Sequence, residues 1–107
     1  MPDKKIEKII QDLNKKLFSK FNNFEGIYLY GSRAKGNYGP ESDIDIIVLF
    51  KDSYCQKTES ELAEIIIKIE LEYNVFVDYH PMTLKELKRN QVFYNEVVNK
   101  GFYYEAA

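Results

Sequence analysis

The chain has 107 residues, 45% hydrophobic and 30% charged, which suits one small folded domain spanning 1–107 and leaves no room for a two-domain cleft. Its 15 basic and 17 acidic residues give a net charge of −2, without the basic excess that marks most nucleic-acid binders. A single cysteine, Cys55, excludes an intramolecular disulfide. No apolar run reaches the ~18 residues of a membrane span, and no signal-peptide core follows Met1-Pro2-Asp3-Lys4-Lys5. A reduced, cytoplasmic protein with no membrane or direct nucleic-acid partner is therefore expected.

Ile6, Ile9, Ile10, Leu13, Leu17 and Phe21 recur at spacings of three and four, which predicts a helix over 4–21 with one apolar stripe. Asp3 suits its start and Asn22-Asn23 its end. Gly26 to Tyr30 reads as a short buried strand, broken by Gly31-Ser32. Turn signals Gly36, Gly39 and Pro40 mark the following loop, whose first residues suit a helical turn starting at Ser32. Asp43 to Phe50 reads as the second strand, apolar on both faces from Ile46 onward, as a central strand should be.

Thr58-Glu59-Ser60-Glu61 fits a capping box, and Leu62, Ile65, Ile66, Ile69 and Tyr73 continue it as an amphipathic helix ending at Asn74. Val75 to His80 reads as a third strand closed by Pro81. Thr83-Leu84-Lys85-Glu86 is a second capping box, and Lys85, Lys88 and Arg89 read as a solvated helix face. Helical pattern resumes around Phe93, Tyr94, Val97 and Val98, with Gly101 as a C-terminal cap. Phe102 to Glu105 suits a short edge strand. The expected class is α/β (α+β), a small mixed β-sheet backed by helices on one face.

Asp43 and Asp45 share one face of the second strand at its polar end. Two like charges side by side repel, so stability alone disfavours the pair. Magnesium takes one or two carboxylates together with substrate phosphates, which such a pair can supply. Gly31 lets the backbone approach a phosphate, a following helical turn aims free N–H groups at the anion, and the Ser32 hydroxyl can add a bond. Arg33 and Lys35 lie near as charge partners for phosphate. Asp78 sits in the apolar stretch Val75-Phe76-Val77-Asp78-Tyr79, where a charge is costly without a partner. If that strand adjoins the second, Asp78 completes a cluster of three carboxylates, shares the metal and accepts a proton. His80 falls on the same strand face as Asp78. A plain strand-end residue is the simpler account of it. Tyr103 and Tyr104 suit packing or a partner interface.

Gly31-Ser32, ten residues, then Asp43-Ile44-Asp45 resembles the signature of the DNA polymerase β-like nucleotidyltransferase superfamily. The stretch Gly31-Ser32-Arg33-Ala34-Lys35-Gly36, Ser42 to Ile46 and the tail Phe93 to Tyr104 are similar to its minimal nucleotidyltransferase (MNT) branch. The resemblance implies the polymerase β-like nucleotidyltransferase fold and attack on the α-phosphate of an NTP, ATP being the expected co-substrate, with release of pyrophosphate. It implies Asp43 and Asp45 as the Mg2+-binding pair, Gly31, Ser32 and Arg33 at the phosphates, and Asp78 as the third acidic position. It implies an antitoxin that adds AMP to a HEPN-domain ribonuclease toxin and forms a hetero-oligomer with it. The chain has no Arg-x4–6-His motif, since His80 follows no arginine at that distance, so it resembles the antitoxin half. Two alternatives stand beside this reading: a non-catalytic antitoxin that covers the toxin, and nucleotidyl transfer to a small molecule.

Overall fold

A computed structural model describes residues 2–36 and 42–107; the turn signals at Gly39 and Pro40 lie outside these. Helix α1 spans Lys4–Lys20. The Asp3 carboxylate accepts the Ile6 N–H at 2.8 Å, which satisfies one of the orphan donors at the helix start. The stripe Ile6, Ile9, Ile10, Leu13 and Leu17 is fully buried, and each such side chain contributes about 1.5–3 kcal/mol of burial. Phe21, rather than Asn22, takes the C-cap position, and its buried ring packs edge-on to Phe50 at 5.7 Å.

Strand β1 (Phe24–Tyr30) runs into a short helix α2 (Gly31–Lys35), so the helical turn begins one residue before Ser32. Strand β2 (Ile44–Phe50) returns antiparallel to β1, with Tyr30 opposite Asp45 and Tyr28 opposite Ile47. Helix α3 (Gln56–Tyr73) then crosses back to strand β3 (Val77–Thr83), which pairs parallel with β2. Helices α4 (Leu84–Lys88) and α5 (Gln91–Tyr94), a π-helical turn (Asn95–Asn99) and strand β4 (Phe102–Glu105) complete the described elements. The sheet order is β3-β2-β1-β4, with β4 antiparallel to β1.

This is the expected mixed sheet backed by helices. The two long helices cover one face, packing on Ile27, Leu29, Ile44, Ile46, Val48 and Phe50. The other face is also partly covered, contrary to the one-sided arrangement expected from the sequence. Ile47 and Leu49 form a second core there with Leu87 and Val97, flanked by Tyr28, Tyr30, Met82 and Phe93. That double covering explains why β2 is apolar on both sides.

Further boundaries differ from the sequence reading. Helix α3 starts at Gln56, with Cys55 as N-cap, because the Cys55 carbonyl accepts the Glu59 N–H at 3.2 Å. Glu61 turns instead to Lys57 and Lys20, at 3.8 and 3.7 Å. Strand β3 runs through Pro81 to Thr83, which an edge strand tolerates because one side of its backbone needs no partner. Gly101 does not cap the preceding helix, whose C-cap is Lys100. It is glycine because a Cβ would run into the carbonyl oxygens of Val97 and Leu29. The Thr83 capping box forms as expected: its hydroxyl accepts the Glu86 N–H and the Glu86 carboxylate accepts the Thr83 N–H, each at 3.2 Å. Among the described residues no helix is long and apolar enough to cross a membrane.

Candidate active site

The break between β1 and α2 is set by Gly31, whose φ of 76° lies in the left-handed region that side chains resist. The turn also leaves no space. A Cβ at Gly31 would meet Asp45 Oδ2, so the carboxylate rests directly on the glycine. The two halves of the sequence motif therefore touch. Tyr30 caps α2 without a side-chain bond, which leaves its first-turn N–H groups without a side-chain acceptor at the cap. Ser32 lies in this turn, partly buried.

Asp45 sits opposite Tyr30 on one side and Asp78 on the other. Cross-strand partners share a sheet face, so the strand order brings Asp78 beside Asp45. The Asp45 carboxyl is raised above its ordinary range. Burial is the largest cause, followed by the negative charges of Asp78 and Asp43 and a hydrogen bond to Asp78 that forms when the proton is present. Asp43 lies just outside β2 and is exposed. His80 Nε2 stands 3.3 Å from Asp78 Oδ1, which places the histidine on the Asp78 face as strand alternation requires.

Tyr30 belongs to this site, although the sequence reading treated it only as part of a strand. Its hydroxyl is pushed up to about 12, by burial first and then by Asp45 and Asp78, so it stays protonated and able to donate. Its ring meets Phe93 edge-on at 5.5 Å. The available signal was its position next to Gly31, on the strand that must pair with Asp45.

Arg33 is 7% exposed, and its Nε donates to the Ser42 carbonyl at 2.9 Å. This bond ties α2 to the residue just before Asp43. Lys35 is exposed and reaches Glu96 at 3.7 Å.

The carboxylates of Asp43, Asp45 and Asp78 offer the hard oxygen donors that Mg2+ prefers, and the mutual repulsion at Asp45 is what a cation would relieve. No group of three or more His, Cys, Asp or Glu side chains among the described residues is gathered into a metal cage. Mg2+ does not require one, since it keeps waters and takes substrate phosphate oxygens beside one or two carboxylates.

Comparison with known proteins bears on the same residues. The model of a nucleotidyltransferase domain matches residues 4–101. A Methanocaldococcus jannaschii protein, provisionally named a protein adenylyltransferase, is 28% identical over 97 residues, 90% of this chain and 95% of its own. A spectinomycin 9-adenylyltransferase of Campylobacter jejuni is 39% identical over 44 residues, 41% of this chain but 17% of that enzyme. Among solved structures, a toxin–antitoxin with AMP-PNP aligns with a TM-score of 0.58 at 29% identity, over 92% of this chain and 68% of the other. A tri-AMPylated Shewanella oneidensis HEPN toxin in complex with MNT antitoxin aligns with a TM-score of 0.50 at 27% identity, over 92% of this chain and 65% of the other. Since the matched region holds the Gly31 turn, the Asp43–Asp45 strand and the Asp78 strand together, the chain belongs to the nucleotidyltransferase domain family.

Proposed function

We propose that the chain is a protein adenylyltransferase, the MNT antitoxin of a pair, which transfers AMP from ATP to a HEPN-domain toxin. The observation that carries this reading is the Asp45 carboxylate lodged between the Gly31 turn and Asp78. A phosphate held at the turn is then adjacent to the carboxylates. The resemblance to a complex with AMP-PNP supports ATP as the donor. The resemblance to a complex containing an AMPylated HEPN toxin supports the acceptor.

In this reading Asp43 and Asp45, with Asp78 beside them, hold Mg2+, which when bound neutralises charge on the triphosphate. The Gly31–Ser32 backbone and the Ser32 hydroxyl orient the phosphates. Arg33 keeps Ser42, and with it Asp43, in place. Asp78 accepts the proton of the acceptor hydroxyl. The hydroxyl oxygen forms a bond to the α-phosphorus, the bond from that phosphorus to the β-phosphate bridging oxygen breaks, and pyrophosphate leaves. Asp43 and Asp78 are exposed, so the site opens to a surface where a second protein can present its hydroxyl.

The test uses labelled ATP, Mg2+ and, as the partner, the product of the neighbouring gene. Label on the partner that disappears in Asp43→Ala plus Asp45→Ala supports the proposal. Neutralisation of the toxin by that double variant, with no label transferred by wild type, would show a non-catalytic antitoxin instead. Label on an aminoglycoside but not on the partner would show small-molecule transfer.

A further inference from the structure

We propose that the groove between the outer face of α3 and the approach to β3 is where the acceptor protein docks, and that its occupant is an apolar segment of the HEPN partner flanked by basic residues. The inference rests on the adenylyltransferase reading and adds to it the surface that receives the partner. Its basis is a cluster of apolar side chains left in water. Ile67 is 53% exposed, Leu71 80% and Phe76 74%, and all three line one groove of about 240 Å³. The buried stripe of α3 is Leu62, Ile66 and Ile69. Ile67 and Leu71 stand four residues apart on a different face, so packing of the core does not account for them. An exposed apolar patch of this kind marks a surface that another molecule covers.

The groove has fixed walls and runs up to the carboxylates. Asn74, with a φ of 53°, turns the chain back at the end of α3. The Glu70 carbonyl accepts the Val75 N–H at 3.2 Å, and the Glu70 carboxylate accepts the Val77 N–H at 2.9 Å. A wall held in this way costs a partner little ordering. The Phe76 carbonyl accepts the Ile44 N–H at 2.9 Å, which fastens Phe76 beside the residue between Asp43 and Asp45. Asp78 follows two residues later, about 7 Å of extended chain. The sheet order decides what the groove receives. From β1 to β3 the site runs from the Gly31 turn through Asp45 to Asp78. The triphosphate belongs at the turn on the β1 side, so the edge strand β3 is the side left for the acceptor. A segment seated between Ile67, Leu71 and Phe76 leads to Asp78, at the edge where the hydroxyl must arrive. Glu64, one turn before Ile67, together with Glu70 and Asp78 makes the border acidic, with Lys68 offsetting one charge. That border selects basic flanks on the segment.

The test pairs the complete protein with the product of the neighbouring gene. Binding is followed by calorimetry, and AMP transfer with labelled ATP and Mg2+. Ile67→Gln plus Leu71→Gln removes the apolar contact, and Ile67→Met plus Leu71→Met keeps it. Both positions are exposed on a helix, where either residue is well tolerated. We expect the Gln pair to weaken partner binding and raise KM for the partner at least about tenfold, as loss of interface anchors does. The Met pair should bind like wild type. KM for ATP should match wild type in both, as should the rise in melting temperature given by Mg2+ with a non-hydrolysable ATP analogue. Undiminished partner binding in the Gln pair overturns the docking site. A rise in KM for ATP in Phe76→Ala, with partner binding intact, would make the groove a platform for the nucleobase and overturns it too. So does a wild type that is dimeric by analytical ultracentrifugation beside a monomeric Gln pair, with equal partner binding. Binding without transfer in wild type, lost in the Gln pair, upholds the groove and removes the transferase reading instead. A wild type that neither binds nor labels the partner overturns both.

Discussion

A methyl group at Gly31 would meet two obstacles at once, a positive φ and the Asp45 carboxylate. Holding a non-glycine residue in that backbone region costs about 1–3 kcal/mol. Gly31→Ala should therefore lower the urea midpoint, and it should lower AMP transfer by about 100-fold by displacing Asp45. Asp45 itself predicts a change of opposite sign in stability. Its folded carboxyl is raised above the unfolded value. Below the unfolded value both states hold the proton and there is no penalty. As pH rises through the window between the two values, the unfolded chain releases its proton first, and the folded state loses stability. Above the folded value that loss is complete. Asp45→Asn should melt at a higher temperature than wild type at pH 7, and the difference should vanish as pH falls through this window. The same variant should transfer no measurable AMP. A melting temperature unchanged at pH 7 would show that the crowding of carboxylates costs the fold nothing.

At the scale of elements, the coupling of α2 to β2 through Arg33 is the joint to break. Arg33→Met keeps much of the buried volume and removes the Nε hydrogen bond to Ser42, a bond that typically contributes about 0.5–1.5 kcal/mol. KM for ATP should rise as the Gly31 turn and Asp43 lose their fixed separation. An unchanged KM would mean that Ser42 is held by other contacts. The helices show what sequence can carry. The α1 stripe, the Asp3 cap and the Thr83 box are local patterns, and the structure has all three. Thr58-Glu59-Ser60-Glu61 fits a capping box one turn further in, but α3 starts at Gln56, where the Cys55 carbonyl accepts the Glu59 N–H, and Glu61 pairs with Lys20 and Lys57 instead. Gly101 serves a different purpose from a cap: its constraint is the close approach of the Val97 and Leu29 carbonyls, the second of them far away in sequence.

For the whole molecule, the pairing of strands was the least legible level. Alternation put Asp43 and Asp45 on one face, and that much is local. That Asp78 stands opposite Asp45, or that Tyr30 does on the other side, follows from sheet order, which rests on contacts distant in sequence. The second core under α4 and α5 was hidden for the same reason. The loaded state offers a prediction at this scale. A ligand that binds only the folded chain adds about 2.7 kcal/mol of stability at 100 times its dissociation constant. Mg2+ with a non-hydrolysable ATP analogue should raise the melting temperature of wild type. The rise should be absent in Asp43→Ala plus Asp45→Ala, and a rise of equal size in that variant would place nucleotide binding elsewhere.

The parallel pairing of β2 with β3 also makes the site a record of folding order. Asp45 and Asp78 come together only when α3 has formed and β3 has docked in one register. A slip of one residue would bring Tyr79 opposite Asp45 and turn Asp78 toward the buried side beneath α3. Closing this long loop is slower than forming the helices. During refolding, helical circular dichroism should thus return ahead of transferase competence. A chain that looks folded by its helices remains inert until its last register choice is made.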